Sequence, residues 1–208
     1  MEVRIGLSAL SSELASWECA RWEKMDFAEL KSQTGNQWEK QLSAIDVKGG
    51  KKDDKVIFYT SLYRAYLSPA DVSSPDGAYL GTDGKVYISE DFRYYSNWSL
   101  WDTFRTKFPL LVLTEPARMR DMATSLIHLY ATGKKDWSTG FESTPTVRTE
   151  HAVILLLDAY RKGITTLDFR KGYAGMKEEM ERLQAKAKTT TEAKPETAAE
   201  NAEETKAA

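Results

Sequence analysis

The sequence contains one cysteine, Cys19, among 208 residues. An internal disulfide is therefore excluded, as is a zinc scaffold built on cysteines. Histidine is nearly as scarce. His128 and His151 are the only two, and neither belongs to a spaced His/Cys/Asp/Glu set that would hold zinc. The 12 glycines are scattered and none has the spacing of a phosphate-binding fingerprint. No serine stands in a nucleophile-elbow sequence. Redox, kinase and serine-hydrolase readings find no support. The formal net charge is only −2, so neither nucleic acid nor an anionic membrane surface is expected as a partner. The longest apolar run, Ala152 to Leu157, falls far short of the roughly 20 residues needed to cross a bilayer. Residues 1–10 show no basic stretch followed by an apolar one, so no secretory leader is expected there. The compartment stays open.

The chain does hold enough hydrophobic residues, 41%, to build the core of one domain. Its composition changes at Leu183. Beyond it, from Gln184 to Ala208, no aromatic and no large aliphatic residue occurs. Such a segment cannot bury enough apolar surface to offset its ordering entropy. The expected division is a domain over residues 1–182 and a low-complexity, disordered tail over 183–208, whose first part continues as a frayed helix.

Within the domain the periodicity is mainly helical. Asp26 with Glu29 three residues on reads as a helix start of the capping-box kind. Phe27, Leu30, Trp38, Leu42 and Ile45 follow at helical spacing until Gly49-Gly50. The segment Lys55 to Leu67 is apolar nearly all round, which predicts a helix buried on most sides, and Pro69 ends it. Tyr79, Val86 and Tyr87 flank Asp83-Gly84, a tight-turn signal that predicts a hairpin. Ser99 to Arg105 reads as a helix start. Pro116 opens a helix over Ala117 to Ala131 that Gly133 closes. Another helix spans about Glu150 to Arg161, before Gly163, and Asp168 opens the last. About six or seven helices with one small hairpin make an all-α domain.

Chemistry-bearing residues concentrate between Arg93 and Arg105, in the run Arg-Tyr-Tyr-Ser-Asn-Trp-Ser-Leu-Trp-Asp-Thr-Phe-Arg. Sugars present C–H faces that lie on aromatic rings and hydroxyls that bond to carboxylate, guanidinium and amide groups. Trp98 and Trp101 are three apart, as are Asp102 and Arg105, so each pair is placed to share a helix face. The same residues also fit a buried tryptophan core with a surface ion pair, and periodicity does not choose between the two.

An ordered series of short motifs runs through this region. It comprises Phe58-Tyr59-Thr60-Ser61-Leu62-Tyr63; Asp76-Gly77, Tyr79, Gly81 and Asp83-Gly84; Tyr94-Tyr95-Ser96; and Leu100-Trp101-Asp102-Thr103-Phe104-Arg105. It continues with Pro109-Leu110, Pro116, Asp121-Met122, Ser125-Leu126, His151-Ala152-Val153 and Asp158-Ala159-Tyr160-Arg161-Lys162-Gly163. In order and spacing the series resembles glycoside hydrolase family 92.

The resemblance implies an (α/α)6 barrel domain, of which this chain would supply the N-terminal part. The family's members are calcium-dependent exo-acting α-mannosidases that invert the anomeric centre. By resemblance, Trp101, Asp102 and Arg105 line the sugar subsite with Trp98 beside them, and His151 and Glu150 lie near the pocket. The expected ligand is an α-mannoside or related glycan.

An inverting glycosidase needs two carboxyl groups about 6.5–9.5 Å apart. By the resemblance, the family's general acid, in a Glu-Gly-Asn element, and its base carboxylates, in an Asp-Asp-containing element, lie downstream of the motifs present here. Asp102, Glu142 and Glu150 stand in no context that marks them as substitutes. The family's calcium likewise finds no hard-oxygen set, since Asp53-Asp54 and Asp71 to Asp76 read as a helix start and a loop. Where many members carry Glu-Thr-x-x-Met-Ile-Gly before His-Ala-Val, this chain reads Pro145-Thr146-Val147-Arg148-Thr149-Glu150.

The expectation is thus a glycosidase-domain portion that contributes sugar-binding residues. A non-catalytic helical sugar-binding or interaction module is the alternative, and an enzyme of another kind using Glu150 or Asp102 comes third. Helices apolar on several faces would leave surface for the rest of a barrel or for self-association.

Overall fold

The computed structural model describes residues 3–132 and 151–192, without side-chain detail for Asp102 and residues 190–192. Local sequence signals set most helix starts. Helix α1 (Ser12–Arg21) begins where the Ser11 hydroxyl accepts the Leu14 N–H at 3.2 Å. At α2 (Phe27–Leu42) the expected capping box is complete: Asp26 accepts from Glu29 N at 2.8 Å, and Glu29 accepts from Asp26 N at 3.1 Å. These bonds satisfy backbone donors that a helix leaves orphaned at its first turn. Helix α3 spans Lys52–Tyr66 and α6 spans Pro116–Ala131, with Pro116 in the first turn.

Helix α6 is the centre of the molecule. Met119, Met122, Ala123, Leu126 and Ile127 are each at most 1% exposed, and their recurrence every three or four residues forms one continuous face. This face packs against α5 (Lys107–Thr114), α7 (His151–Arg161) and α8 (Tyr173–Glu192). Burying a side chain of this size contributes roughly 1.5–3 kcal/mol, so the α6 face outweighs any cap. The fold is mainly helix on helix, with consecutive helices packed as in part of an α/α toroid.

The strands are short. The expected hairpin forms from β2 (Ala78–Leu80) and β3 (Val86–Ile88), paired Tyr79 to Tyr87. Gly84 takes φ +79° in its turn, a conformation open to glycine at little cost. A second antiparallel pair, β1 (Ala70–Asp71) with β4 (Tyr95–Ser96), has no counterpart in the sequence reading. It rests on α6, where the buried Ser125 hydroxyl accepts the Tyr95 N–H at 2.9 Å.

Three expectations are corrected. Helix α3 is not buried on most sides: Leu62 and Tyr66 are buried, while Val56, Ile57, Tyr63 and Leu67 are exposed. Its apolar residues outnumber the neighbours that cover it among the described residues. The run Ser99 to Arg105 yields only one helical turn, α4 (Leu100–Thr103), after which the chain bends and α5 starts anew. Pro109 falls in the first turn of α5, where its missing N–H costs no bond. Helix α1, not foreseen, precedes the capping box. Helix α8 continues past the composition change at Leu183 to Glu192, in keeping with the helix expected in the first part of that segment, because Ala, Lys and Glu sustain a helix without burial. Gly133 and the tail beyond Glu192 lie outside the described residues.

Candidate functional site

The segment between β4 and α5 turns sharply at Asn97, whose φ of +66° lies in the left-handed region that asparagine tolerates better than most residues. The Ser68 hydroxyl donates to the Asn97 carbonyl at 3.1 Å and holds the turn. From there the two tryptophans part. Trp98 goes inward, 4% exposed, its ring 6.1 Å from that of Phe108. Leu100, 2% exposed, anchors the single turn of α4. Trp101 faces outward, 41% exposed. The two tryptophans do not share a helix face, because Trp98 lies before α4 begins. Arg105 likewise follows its end, beyond the Phe104 cap.

Helix α7 brings His151 to this turn. Its ring meets Trp101 edge to face, with centroids 5.5 Å apart and planes at 84°. The Phe104 ring lies 4.1 Å from it. The Arg105 guanidinium sits 5.1 Å over the Phe104 ring, within the range of a cation–π contact. The result is a connected surface strip, Trp101–His151–Phe104–Arg105, with an exposed indole at one end and an exposed guanidinium at the other. Phe104 was not among the expected site residues, although it stands three positions from Trp101, the spacing that joins neighbours on a helix turn. The Asp102 backbone lies in α4 between them. Its side chain, Glu150 and Glu142 lie outside the described detail.

Below the strip, Lys107 donates to the Ser68 carbonyl. Burial, aided by the nearby Arg118 charge, lowers its pKa to about 8. A second aromatic assembly joins the hairpin to α6. The Tyr79 ring stacks on Tyr94 at 4.1 Å, and its hydroxyl lies 3.0 Å from His128 Nδ1. Burial pushes Tyr79 up to about 12 and lowers His128 below its ordinary value. Both therefore remain neutral at pH 7, which suits a structural pair. Among the described residues no three His, Cys, Asp or Glu side chains gather to hold a metal ion, so the calcium implied by resemblance finds no ligand set here. No helix among them is long and apolar enough to cross a membrane.

The sequence matches the family described as glycosyl hydrolase family 92 catalytic domain over residues 14–206, a span that includes the Ala/Glu/Lys/Thr-rich segment. Comparison with curated proteins returns no match. Among solved structures, the GH92 family glycosyl hydrolase ccman5 aligns with 30% identity and a TM-score of 0.71, over 81% of this chain and 23% of its own. The GH92 α-mannosidase BT3965 from Bacteroides thetaiotaomicron gives 30% identity and a TM-score of 0.71, over 82% of this chain and 23% of its own. It is also known in complex with mannoimidazole. The GH92 inverting mannosidase BT2199 from Bacteroides thetaiotaomicron VPI-5482 gives 27% identity and 0.71, over 81% of this chain and 24% of its own. The chain spans about a quarter of the length of these relatives.

Proposed function

Since this chain belongs to glycosyl hydrolase family 92, we propose that the Trp101–His151–Phe104–Arg105 strip is the sugar-binding contribution of an α-mannosidase active site. The observation that carries this reading is the exposed Trp101 indole braced by His151 across the α4–α7 contact. A pyranose ring lays its C–H face on such an indole, and Arg105 offers fixed donors to ring hydroxyls. Bracing matters because a side chain already held in place loses little freedom when the ligand arrives. By the resemblance, Asp102 belongs to the same subsite, and Glu150 is a further candidate for it. Trp98 supports this surface from the core and does not touch the sugar.

The ligand in this reading is a terminal α-linked mannoside, and the reaction of the complete site is hydrolysis with inversion. Inversion needs an acid and a base carboxyl on opposite faces of the sugar. The described residues offer no such pair beside the strip, so the strip's part is binding and orientation. No step is assigned to calcium, for which the described residues gather no ligands. Exposed apolar side chains on α3 and α7 (Val56, Ile57, Ile154 and Leu157) favour a further helical partner or self-association in the complete assembly.

The test is a thermal melt followed by tryptophan fluorescence, with and without an α-linked mannobiose. A ligand that binds only the folded state raises the midpoint by mass action. The expected result is a sugar-dependent rise that Trp101→Ala reduces. A clean transition indifferent to the sugar overturns the reading for this chain.

A further inference from the structure

A concavity lies elsewhere on the surface. A groove of about 570 Å³ runs between the extended segment 7–9, helix α1, the loop from β1 to Pro75, and Ser96-Asn97. Helix α1 turns Leu14, Trp17 and Glu18 toward it, residues whose i, i+3, i+4 spacing makes one helix face. None of the α1 residues is buried, and Trp17 is 51% exposed.

Both walls are held before any ligand arrives. On one side the Arg4 guanidinium donates to the carbonyls of Trp22 and Met25. Gly6 lies so close to α1 that a β-carbon there would meet the Ala15 carbonyl at 1.8 Å, so only glycine fits. On the other side Arg93 donates to Asp71 Oδ2 at 2.8 Å, to the Ser74 carbonyl at 2.9 Å and to the Ser73 carbonyl at 2.8 Å. Rigid walls lower the ordering cost of binding.

The lining selects among ligand classes. Among the described residues it includes two carboxylates, Glu18 and Asp71, and no lysine or arginine, which disfavours an anion. Glu18 is already paired with Arg21 at 2.7 Å and Asp71 with Arg93 at 2.8 Å, so neither presents a net charge to draw a cation. Both keep oxygen lone pairs that accept hydroxyl protons. The Trp17 indole supplies an apolar surface. The Ser96 hydroxyl, in a residue 2% exposed that borders the groove, has no hydrogen-bond partner among the described residues. A buried orphan of this kind is rare in native proteins. Indole, neutralised carboxylates and serine hydroxyls in a mostly apolar recess are the composition of a site for a neutral polyhydroxyl ligand.

We propose that the groove between α1 and the β1–β4 pair is an accessory binding site for a neutral saccharide, separate from the Trp101 strip. The choice of a mannose polymer as probe rests on the family reading; the groove itself does not. The experiment is native electrophoresis of the full chain through gels containing α-mannan, with Trp17→Ala, Trp101→Ala and the double variant run beside it.

Retardation of the native chain should survive Trp101→Ala, fall at least tenfold in apparent affinity with Trp17→Ala, and vanish in the double variant. Trp17→Phe, which keeps a ring, should recover most of it. Glu18→Ala, at a site outside the core, should weaken it without loss of helicity by circular dichroism, so a misfolded Trp17→Ala does not leave the question open. An unretarded native chain, or undiminished retardation in folded Trp17→Ala and Glu18→Ala, overturns the proposal. If Trp101→Ala alone abolishes retardation, the groove fails and the strip stands. If only the Trp17 and Glu18 variants lose it, the groove stands and the strip fails.

Discussion

Trp101 and His151 meet edge to face at 5.5 Å, although 50 positions separate them in the chain. The contact joins one exposed aromatic residue on α4 to the first residue of α7, which is 9% exposed. His151 is wedged between Trp101 and Phe104, so it fixes the attitude of the indole without offering much surface of its own. In the proposed function it is a positioning residue.

His151→Ala should therefore act twice. Losing two aromatic contacts, each worth about 0.5–1.5 kcal/mol, should lower the unfolding midpoint. It should also weaken the response to α-linked mannobiose, because Trp101 loses its brace. His151→Phe should restore the midpoint and most of the response. A full sugar response in His151→Ala would show that the brace has no part in binding.

Helix α3 presents Val56 and Ile57 at 56% and 65% exposure. Branched side chains left open at this level favour association. Sedimentation of the native chain at tens of micromolar should show species larger than 23.5 kDa. Val56→Lys with Ile57→Lys should shift the distribution toward the monomer, since neither side chain contributes to the core. A native chain that sediments as a monomer would refute the expectation.

The junction of α6 and α8 rests on a polar contact inside the core. The Tyr130 hydroxyl donates to Glu179 Oε2 at 2.5 Å, with both residues buried. Tyr130→Phe leaves a buried carboxyl group without this donor, a loss of about 1–3 kcal/mol. The measurement is the denaturant midpoint, with an unchanged slope expected, because the surface exposed on unfolding stays the same.

Lys107 gives a pH signature. Its folded pKa of about 8 lies below the ordinary lysine value near 10.4, so between the two the unfolded chain binds the extra proton. Stability must then rise with pH across that window, and the burial penalty is present in full below it. Between pH 8 and 10 the thermal midpoint should climb in the native chain and stay flatter in Lys107→Met. Tyr79, raised to about 12, titrates above the window and opposes the trend only beyond pH 10.

Features set by neighbouring residues were legible in the sequence. The Asp26–Glu29 capping box needs three residues of separation, the Asp83-Gly84 turn needs two strands beside it, and α6 carries Pro116 and an unbroken apolar period. The family, too, was legible, because an ordered series of motifs survives in one dimension. The sequence by itself thus determined the helical class, the hairpin and the kinship.

The tertiary structure alone decided which side chains face the solvent. Trp98 and Trp101 are the same residue type three positions apart, yet one is core and the other surface, because the chain turns at Asn97 before α4 and no periodicity spans that turn. The β1–β4 pair joins two-residue strands some 25 positions apart, too short for alternation to show. Its position depends on Ser125 of α6, a residue with no local reason to be special. The Trp101 strip and the α1 groove follow the same rule. Local conformation is a property of a few adjacent residues, whereas a binding surface is made by distant segments that meet only when the core closes.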